Sequence, residues 1–255
     1  MRLPTRTELE AITRHAGAVA LAQFRHVTAE RKGDRTIVTA ADRAVEAHLA
    51  ATLQAEFPDV GLLGEEGACR PGRDGYRFVV DPIDGTSAFV AGLPTWCVCV
   101  GLMRHAEPVA GVVHLPCTGE TYSAGDGGAW WEGAPLPPLG AQGGAPGDPF
   151  VLVDAGAYRR VKVRYRGKVR SLGSTAYHVA LVARGAAEAA LLGPAHLWDL
   201  AAAGAILAAV GGRMEYVSGA AVDLATLADG RRAPHHILAA APERLAALRP
   251  LLGGA

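Results

Sequence analysis

Apolar residues recur at helical spacing in the N-terminal part of the chain. Thr7 and Glu10 form a capping-box pattern, in which a threonine and an acid three residues later satisfy the free amides of a helix start. The apolar positions that follow are Ile12, Ala16, Val19 and Phe24. A second apolar stripe predicts a helix near residues 41–57 that Pro58 closes. Two helices are therefore predicted to open the chain.

The rest of the chain mixes strand and helix patterns. Apolar runs predict an antiparallel meander with strands at 96–103, 108–114 and 121–123. Residues 135–149 are rich in glycine and proline, and this seam divides the chain into a predicted N-terminal half, 1–140, and a C-terminal half, 141–255. In the second half, the predicted elements are strands at 150–153 and 189–192 and helices near 175–182 and 198–210. These patterns alone predict a mixed α/β protein with two sheets.

Composition narrows the class of protein. The chain has 255 residues, of which 50% are hydrophobic, so it can bury a sizeable core. Its 25 basic residues balance 25 acidic ones, so no global field attracts nucleic acid or an acidic membrane. The first residues lack the apolar core of a secretory signal, and no apolar run is long enough to span a bilayer, so we expect a cytoplasmic protein. The four cysteines show no metal-ligand spacing and are expected to be buried free thiols.

One stretch stands out by its chemistry. The apolar run Phe78–Val80 ends abruptly in residues 81–86, with the sequence DPIDGT. A buried strand is thus predicted to deliver two acids to a sheet edge, where α/β proteins place their active sites. Carboxylates together with the carbonyl of Ile83 suit Mg²⁺, and the amides of Gly85 and Thr86 suit a phosphate. The combination predicts a metal-assisted phosphoryl-transfer site.

Two other interpretations fit residues 81–86. An Asp-Pro turn followed by an Asp-Gly turn is common in surface loops. Phosphatases of the haloacid-dehalogenase type also end a strand in two acids, but with one residue between them. Here Pro82 and Ile83 both intervene, so the acids cannot share one face of a regular strand. Attack by a metal-activated water is therefore favoured over attack by an aspartate.

Three separated elements resemble the signature of the inositol monophosphatase family. They are Glu65-Glu66 after Gly64, the hexapeptide 81–86, and Trp198-Asp199 followed by Leu-Ala-Ala. Three linked motifs are far more specific than one, and the similarity extends from about Arg31 to Ser218. The resemblance implies an α/β (α+β) fold, the layered α-β-α-β-α sandwich of the inositol monophosphatase and fructose-1,6-bisphosphatase type. It also implies a Mg²⁺-dependent, lithium-sensitive phosphomonoesterase in which water attacks in line.

The resemblance further implies two to three Mg²⁺ ions in each active site. One ion would be held by Glu65, Asp81 and the carbonyl of Ile83. A second would be held by Asp81, Asp84 and Asp199. Two adjacent carboxylates such as Glu65 and Glu66 repel unless a cation lies between them or one of them is protonated, and their adjacency favours a metal at this place.

Catalytic and substrate-binding roles follow from the same resemblance. Glu66 and Thr86 would position the attacking water and accept its proton. Asp42, in a Val-Thr-x-x-Asp element, would lie near the metals at a weaker third ion site, although an ordinary helix cap is the alternative. The residues implied in substrate binding are Gly85 and Thr86 for the phosphoryl group, Asp199 for the ester, and Gly173, Ser174 and Thr175 for the alcohol.

The substrate is less well defined than the metal ligands. Inositol 1-phosphate is the default expectation for this family, but Leu192 stands where inositol phosphatases commonly carry a polyol-binding glutamate. This departure shifts weight towards fructose 1,6-bisphosphate, 3′-phosphoadenosine 5′-phosphate or histidinol phosphate. The resemblance also implies a homodimer.

Residues 160–170 place six cations at alternate positions, from Arg160 to Arg170. If extended, the segment would carry all six on one face, which favours a solvated edge strand that opposes aggregation. A basic wall that binds a second phosphate is the alternative. A non-catalytic regulatory or RNA-binding homologue would use the same face, but the intact metal ligands favour the enzyme, with a small phosphate ester as its partner.

Overall fold

Helices and sheets stack in five layers in the computed structural model, which describes residues 1–31, 33, 37–141, 148–158 and 160–252. The α-helices are α1 (Arg6–Leu21), α2 (Ala40–Glu56), α3 (Thr86–Val90), α4 (Ala155–Tyr158), α5 (Thr175–Ala183), α6 (Leu197–Ala209) and α7 (Pro242–Leu252). The strands of the first half are β1 (Glu30–Arg31), β2 (Ile37–Val38), β3 (Gly61–Gly64), β4 (Cys69–Arg70), β5 (Tyr76–Asp84), β6 (Cys97–Arg104), β7 (Glu107–His114), β8 (Thr121–Gly125), β9 (Gly128–Trp131) and β10 (Ala134–Pro135). Those of the second half are β11 (Phe150–Val153), β12 (Lys168–Arg170), β13 (Ala189–Leu192), β14 (Arg213–Tyr216) and β15 (Ile237–Ala240).

Two sheets form the β layers. The larger has eight strands in the order β10-β9-β8-β7-β6-β5-β3-β4, and only β3 and β5 run parallel in it. The smaller has five strands in the order β12-β11-β13-β15-β14, with β11 parallel to both of its neighbours. The meander predicted from the sequence is therefore present as β6, β7 and β8.

The helices fill the other three layers. α1 and α2 cover the outer face of the eight-stranded sheet, where Leu9 and Leu49 pack against Phe78 and Val100. α5 and α6 lie between the sheets, and α7 covers the outer face of the smaller sheet. This α-β-α-β-α order confirms the predicted sandwich. The cluster between the sheets contains residues of both predicted halves, and the division at 140/141 into two domains stays a prediction.

The predicted start of the first helix is wrong by two residues. Thr5 caps α1 and forms the capping box with Glu8, whose side chain accepts the Thr5 amide at 2.9 Å. The Thr-x-x-Glu pattern occurs twice in overlapping positions, and the first copy satisfies the amides one half-turn earlier. Glu10, assigned to the cap, instead pairs with Arg6 and accepts a hydrogen bond from Ser123 at 2.6 Å.

The basic segment 160–170 does not form one long strand. Only its last three residues enter the sheet, as the edge strand β12. Exposure still alternates in the part that precedes β12, because Val161, Val163 and Tyr165 pack against the outer apolar cluster while the cations between them are exposed. The favoured interpretation as a solvated edge is therefore right for β12, and the extended conformation over the whole segment is wrong.

The cysteines and the glycine- and proline-rich seam agree only in part with the predictions. Cys97 and Cys99 are buried free thiols, but Cys69 is exposed, so burial does not extend to every cysteine. Residues 142–147, in the middle of the predicted seam, lie outside the described residues. Among the helices of the described chain, none is long and apolar enough to cross a membrane.

Close packing of α6 on the larger sheet depends on glycine. A Cβ placed on Gly111 would lie 2.5 Å from the carbonyl oxygen of Ala202, and one on Gly101 would lie 2.8 Å from the Cβ of Ala201. Two strand glycines thus face the alanine-rich surface of the helix, and no side chain separates the two backbones. This contact fixes α6, which carries Asp199, against β6 and β7, and β6 pairs directly with β5, which carries Asp81 and Asp84.

Gly111→Ala tests this contact. Because backbone atoms rather than flexible side chains occupy the space, the substitution should lower the free energy of unfolding by about 1–3 kcal/mol. Chemical denaturation measures the change. Gly125→Ala in β8 is the matched control, since its Cβ would find an ordinary 3.5 Å contact, and it should leave stability nearly unchanged. Equal stabilities of the two variants would contradict the packing argument.

Candidate active site

An irregularity in β5 brings Asp81 and Asp84 together. On a regular strand, residues three apart point to opposite faces. The pairing of β5 with β6 shifts between these acids, because Asp81 lies opposite Cys99 and Asp84 lies opposite Cys97. Three steps on β5 therefore match two steps on β6, as in a β-bulge, which re-aims the side chains that follow it. The strand end consequently presents both acids on the same side.

The third acid arrives from the other end of the chain. Asp199 occupies the first turn of α6, and its Oδ2 accepts the backbone amide of His196 at 2.7 Å in a capping box. Carboxylate oxygens of Asp81, Asp84 and Asp199 all lie within 4.8 Å of one another. The structure therefore brings together three of the four predicted acidic ligands at one point between the two sheets.

The acids in this cluster are electrostatically strained. Burial, followed by the charges of Glu65, Asp84 and Asp199, raises the pKa of Asp81 well above its usual value. Burial and the charge of Asp84 raise the pKa of Asp199 in the same direction. Asp199 as a whole residue is partly exposed to solvent, but its carboxyl group is buried. Like charges collected at a buried place favour either protons or a cation between them.

Glu65 lies at the margin of the cluster. Its backbone amide donates to the carbonyl of Val80 at 3.2 Å, which ties it to the end of β5. Its charge contributes to the raised pKa of Asp81 and of Asp199, so the fourth predicted acid lies near the other three. Glu66 follows it, partly buried, and its charge contributes to the raised pKa of Asp42.

Glu46 is a site residue that sequence reasoning missed. Its side chain is buried on α2, and its two oxygens accept the amides of Glu66 at 2.7 Å and Ala68 at 2.8 Å. A Cβ on Gly64 would collide with this carboxylate, so glycine is required there. An acid on the apolar stripe of the predicted second helix, four residues after Asp42, was the available signal.

Asp42 has the helix-cap role that was the alternative interpretation, and the third ion site stays a prediction. Its Oδ2 accepts the amide of Thr39 at 2.8 Å and the hydroxyl of Thr39 at 2.6 Å, which completes the cap of α2. Its Oδ1 accepts the hydroxyl of Thr86 at 3.3 Å, so the carboxylate also reaches the turn after β5. Burial raises the pKa of Asp42, while the hydrogen bonds from Thr39 lower it. The Thr86 hydroxyl lies 3.1 Å from the carbonyl of Ile83 as well.

Gly85 lies at one of the contacts between the two halves. Its φ of +95° lies in the left-handed region, which side chains rarely adopt. A Cβ there would also lie 2.9 Å from the carbonyl oxygen of Gly173, which itself has a φ of +92°. The turn after β5 and the turn before α5 thus meet backbone to backbone.

The turn before α5 is directed at Asp84. The hydroxyl of Ser174 and the amide of Ala176 each donate to Asp84 Oδ2 at 2.6 Å, and the amide of Thr175 donates to Oδ1 at 3.2 Å. Burial raises the pKa of Asp84, and these three bonds lower it. Ser174 Oγ and Thr175 N are therefore occupied by an acid of the site, and a substrate role for Gly173, Ser174 and Thr175 stays a prediction.

Leu192 lies in the core. It is fully buried in the apolar cluster between the sheets and pairs with Ile237 across β13 and β15. The side chain therefore packs against hydrophobic neighbours. The carboxylate beside this position belongs to Asp154, whose Oδ2 accepts the amide of Gly193 at 2.9 Å.

Comparison with known proteins agrees with this geometry. The model of the inositol monophosphatase family matches residues 4–249. Inositol-1-monophosphatase ImpA of Mycolicibacterium smegmatis is 36% identical over 213 residues, which cover 78% of this chain and 77% of that protein. The histidinol-phosphatase of Chlorobaculum parvum is 36% identical over 207 residues, which cover 77% of this chain and 80% of that protein.

A solved structure shows the same fold. The structure of an IMPase from Thermotoga maritima superposes with a TM-score of 0.81 and 25% identity, covering 95% of this chain and 94% of that one. The five-layered fold, the three acids that meet between the sheets and the match along nearly the whole length agree with one another. The chain belongs to the inositol monophosphatase family.

Proposed function

We propose that the chain is a divalent-metal-dependent phosphomonoesterase that hydrolyses a small phosphorylated alcohol or sugar. As a member of the inositol monophosphatase family it is a phosphoric monoester hydrolase. The observation that carries the metal dependence is the convergence of carboxylate oxygens from Asp81, Asp84 and Asp199 within 4.8 Å. Inositol 1-phosphate is the first substrate to test.

The donor set fits a hard divalent cation. Carboxylate oxygens are the ligands that Mg²⁺ prefers, and the pKa values of these acids are raised mainly by burial and by one another. A cation at this place would offset the repulsion between the carboxylates. The same residues therefore repel one another without metal and are suited to bind it. Two to three Mg²⁺ ions are proposed, with these ligands: Glu65, Asp81, the Ile83 carbonyl, Asp84 and Asp199.

When bound, Mg²⁺ supplies the positive charge that acidifies a water molecule and offsets the charge of the phosphoryl group. The protein provides the groups that orient this water. The Thr86 hydroxyl donates towards Ile83 O and Asp42 Oδ1, so it can only accept from a third partner. A water that donates to Thr86 would turn a lone pair towards the phosphorus. We assign Glu66 and Asp42 as the acids that take up its proton.

The residues around the phosphate ester come from both halves. Amides at Gly85 and Thr86 are proposed to bind phosphoryl oxygens, and Asp199 to orient the ester. Residues 173–175 form the wall on the side of the alcohol, where they touch Gly85. Leu192 has an apolar side chain that is buried in the core, so it offers no hydrogen bond to a polyol. The alternative substrates therefore stay open.

The alternatives have support among the relatives. Proteins similar to this chain are named histidinol-phosphatase and, in Thermotoga maritima, fructose-1,6-bisphosphatase/inositol-1-monophosphatase. Histidinol phosphate, fructose 1,6-bisphosphate and 3′-phosphoadenosine 5′-phosphate are therefore proposed beside inositol 1-phosphate. Lithium sensitivity, a homodimeric state and a cytoplasmic location stay predictions.

The function is tested by phosphate release from these four compounds with and without Mg²⁺. We expect Mg²⁺-dependent release from at least one of them, suppressed by millimolar lithium. Asp84→Asn should lower kcat/KM at least about 100-fold, because it changes a proposed metal ligand. Asp126→Asn is the control, since this exposed residue lies in a hairpin turn at a φ of +49° that asparagine tolerates. Full activity of the Asp84 variant, or activity without divalent metal, would refute the proposal.

The strain among the acids gives a second prediction. The raised pKa of Asp199 means that the folded state favours its protonated form, so this contribution to stability is complete below the unfolded pKa near 3.8 and is lost as pH rises through the raised folded pKa. At pH 7 without metal, Asp199→Asn should therefore raise the midpoint of thermal unfolding, by about 2–4 °C for each kcal/mol of repulsion removed.

The measurement is a thermal unfolding series at pH 4 and pH 7, with and without Mg²⁺. The gain in Asp199→Asn should shrink towards pH 4, and the rise that Mg²⁺ produces in the wild type should be reduced. Asparagine keeps an acceptor for the His196 amide, so loss of the helix cap does not obscure the result. A lower midpoint for the metal-free variant at pH 7 would show that the acids do not repel one another.

A further inference from the structure

The position of Asp84 depends on groups outside β5. Its carboxylate accepts three hydrogen bonds from the turn between Leu172 and Ala176, and a longer contact of 3.7 Å from the Cys97 thiol on β6. The three bonds are short or moderate, at 2.6, 2.6 and 3.2 Å, and they occupy both oxygens. A displacement of this turn would therefore rotate or release the carboxylate. Whatever holds the turn also holds Asp84.

His178 holds the start of this turn. Its side chain is fully buried on α5, and its Nε2 accepts the backbone amide of Leu172 at 2.9 Å. A backbone amide can only donate, so Nε2 carries no proton and the ring proton lies on Nδ1. The tautomer is thus fixed by the fold. The bond closes residues 172–178 into a loop that begins in the turn and ends on the helix.

The other side of the ring faces Asp154. Nδ1 of His178 lies 2.8 Å from Asp154 Oδ1, in an approach too bent for a linear hydrogen bond, and it has no other partner within the described part of the chain. Asp154 follows β11 directly, and its Oδ2 accepts the amide of Gly193 at 2.9 Å. The carboxylate therefore joins the ends of β11 and β13 to the ring.

Thr175 closes the connection. Its hydroxyl donates to Asp154 Oδ2 at 3.3 Å, and its amide donates to Asp84 Oδ1 at 3.2 Å. A continuous set of contacts thus runs from His178 through Asp154 and Thr175 to Asp84. All the groups that position the carboxylate from this side belong to the second half of the chain.

We propose that His178 and Asp154 form a positioning pair that holds the 172–176 turn in the shape that orients Asp84 towards a divalent cation. The inference rests on the proposed function, because it concerns the same site. In the described part of the chain, neither residue hydrogen-bonds to Asp81, Asp84 or Asp199, although the charge of Asp154 contributes to the raised pKa of Asp84. His178 acts through the turn, and Asp154 acts through the turn and through its charge, so their loss should change the affinity for the cation more than any step after binding.

Two substitutions of His178 separate its two contacts. His178→Gln can place an amide oxygen near the position of Nε2, so it keeps an acceptor for Leu172. His178→Asn can place a donor near the position of Nδ1, so it keeps the contact with Asp154 but leaves the Leu172 amide without its acceptor. We expect the asparagine variant to need about 10–100-fold more Mg²⁺ for half-maximal activity. The Mg²⁺ concentration that the glutamine variant needs should rise much less.

A readout without activity accompanies the assay. The rise in unfolding midpoint is measured over a Mg²⁺ titration for the wild type, both His178 variants and Asp154→Asn. The midpoint of that titration should shift for His178→Asn and for Asp154→Asn. His114→Asn is the control, because His114 is also a buried histidine whose Nδ1 is bonded, 3.0 Å from Thr121 Oγ1, and it lies on β7. This variant should lose stability without a change in Mg²⁺ affinity.

Three outcomes decide the matter. Shifted Mg²⁺ affinity in His178→Asn and Asp154→Asn, with a smaller shift in His178→Gln, supports the positioning pair. Wild-type affinity in the soluble, folded members of this set would overturn it and leave His178 a packing residue. Absence of any Mg²⁺ response in the wild type would overturn the proposed function itself, so the two failures can be told apart.

Discussion

The structure depends on holding like charges together at a buried place. Asp81 and Asp84 lie at the C-terminal end of β5 in the larger sheet, and Asp199 lies at the start of α6 between the sheets. Burial and the charges of Asp84 and Asp199 raise the pKa of Asp81, and burial and the charge of Asp84 raise the pKa of Asp199, so their proximity opposes folding when no cation is present. Apolar packing elsewhere must offset this cost. The cluster between the sheets, which includes Leu152, Leu192 and Ile206, lies around the helix that carries Asp199.

The layers of the sandwich explain how distant residues meet. The larger sheet supplies two acids, the inner helix layer supplies one, and the turn before α5 supplies the donors that hold Asp84. Gly85 and Gly173 let the two turns approach to backbone contact. The site therefore lies where the halves of the chain meet, and neither half contains all of it.

Much of this architecture could be predicted from the sequence. Periodicity located α2 to within one residue at each end, and it located the meander. The family motifs identified the acids and the fold. The local details were harder to predict, because competing patterns overlap: Thr5 and Thr7 both precede an acid by three residues, and only the folded chain selects Thr5. The sequence likewise contains no sign of the register shift that turns Asp81 and Asp84 to the same side.

Residues that act through others were the hardest to find. Glu46 looks like a polar interruption of an apolar stripe, and His178 looks like an ordinary helical residue. Their importance lies in backbone amides that they accept, and such amides leave no trace in the side-chain pattern. The alternating cations from Arg160 onwards led to the opposite error, an overprediction. Their strong pattern predicted a long strand, but only a short edge strand forms.

The absence of side chains at Gly101 and Gly111 beneath α6 has a mechanical consequence. With Gly101 and Gly111 against its alanines, the helix has little room to slide or tilt. Asp199 is therefore preorganised, and an arriving ion loses little binding energy to rearrangement of the protein on that side.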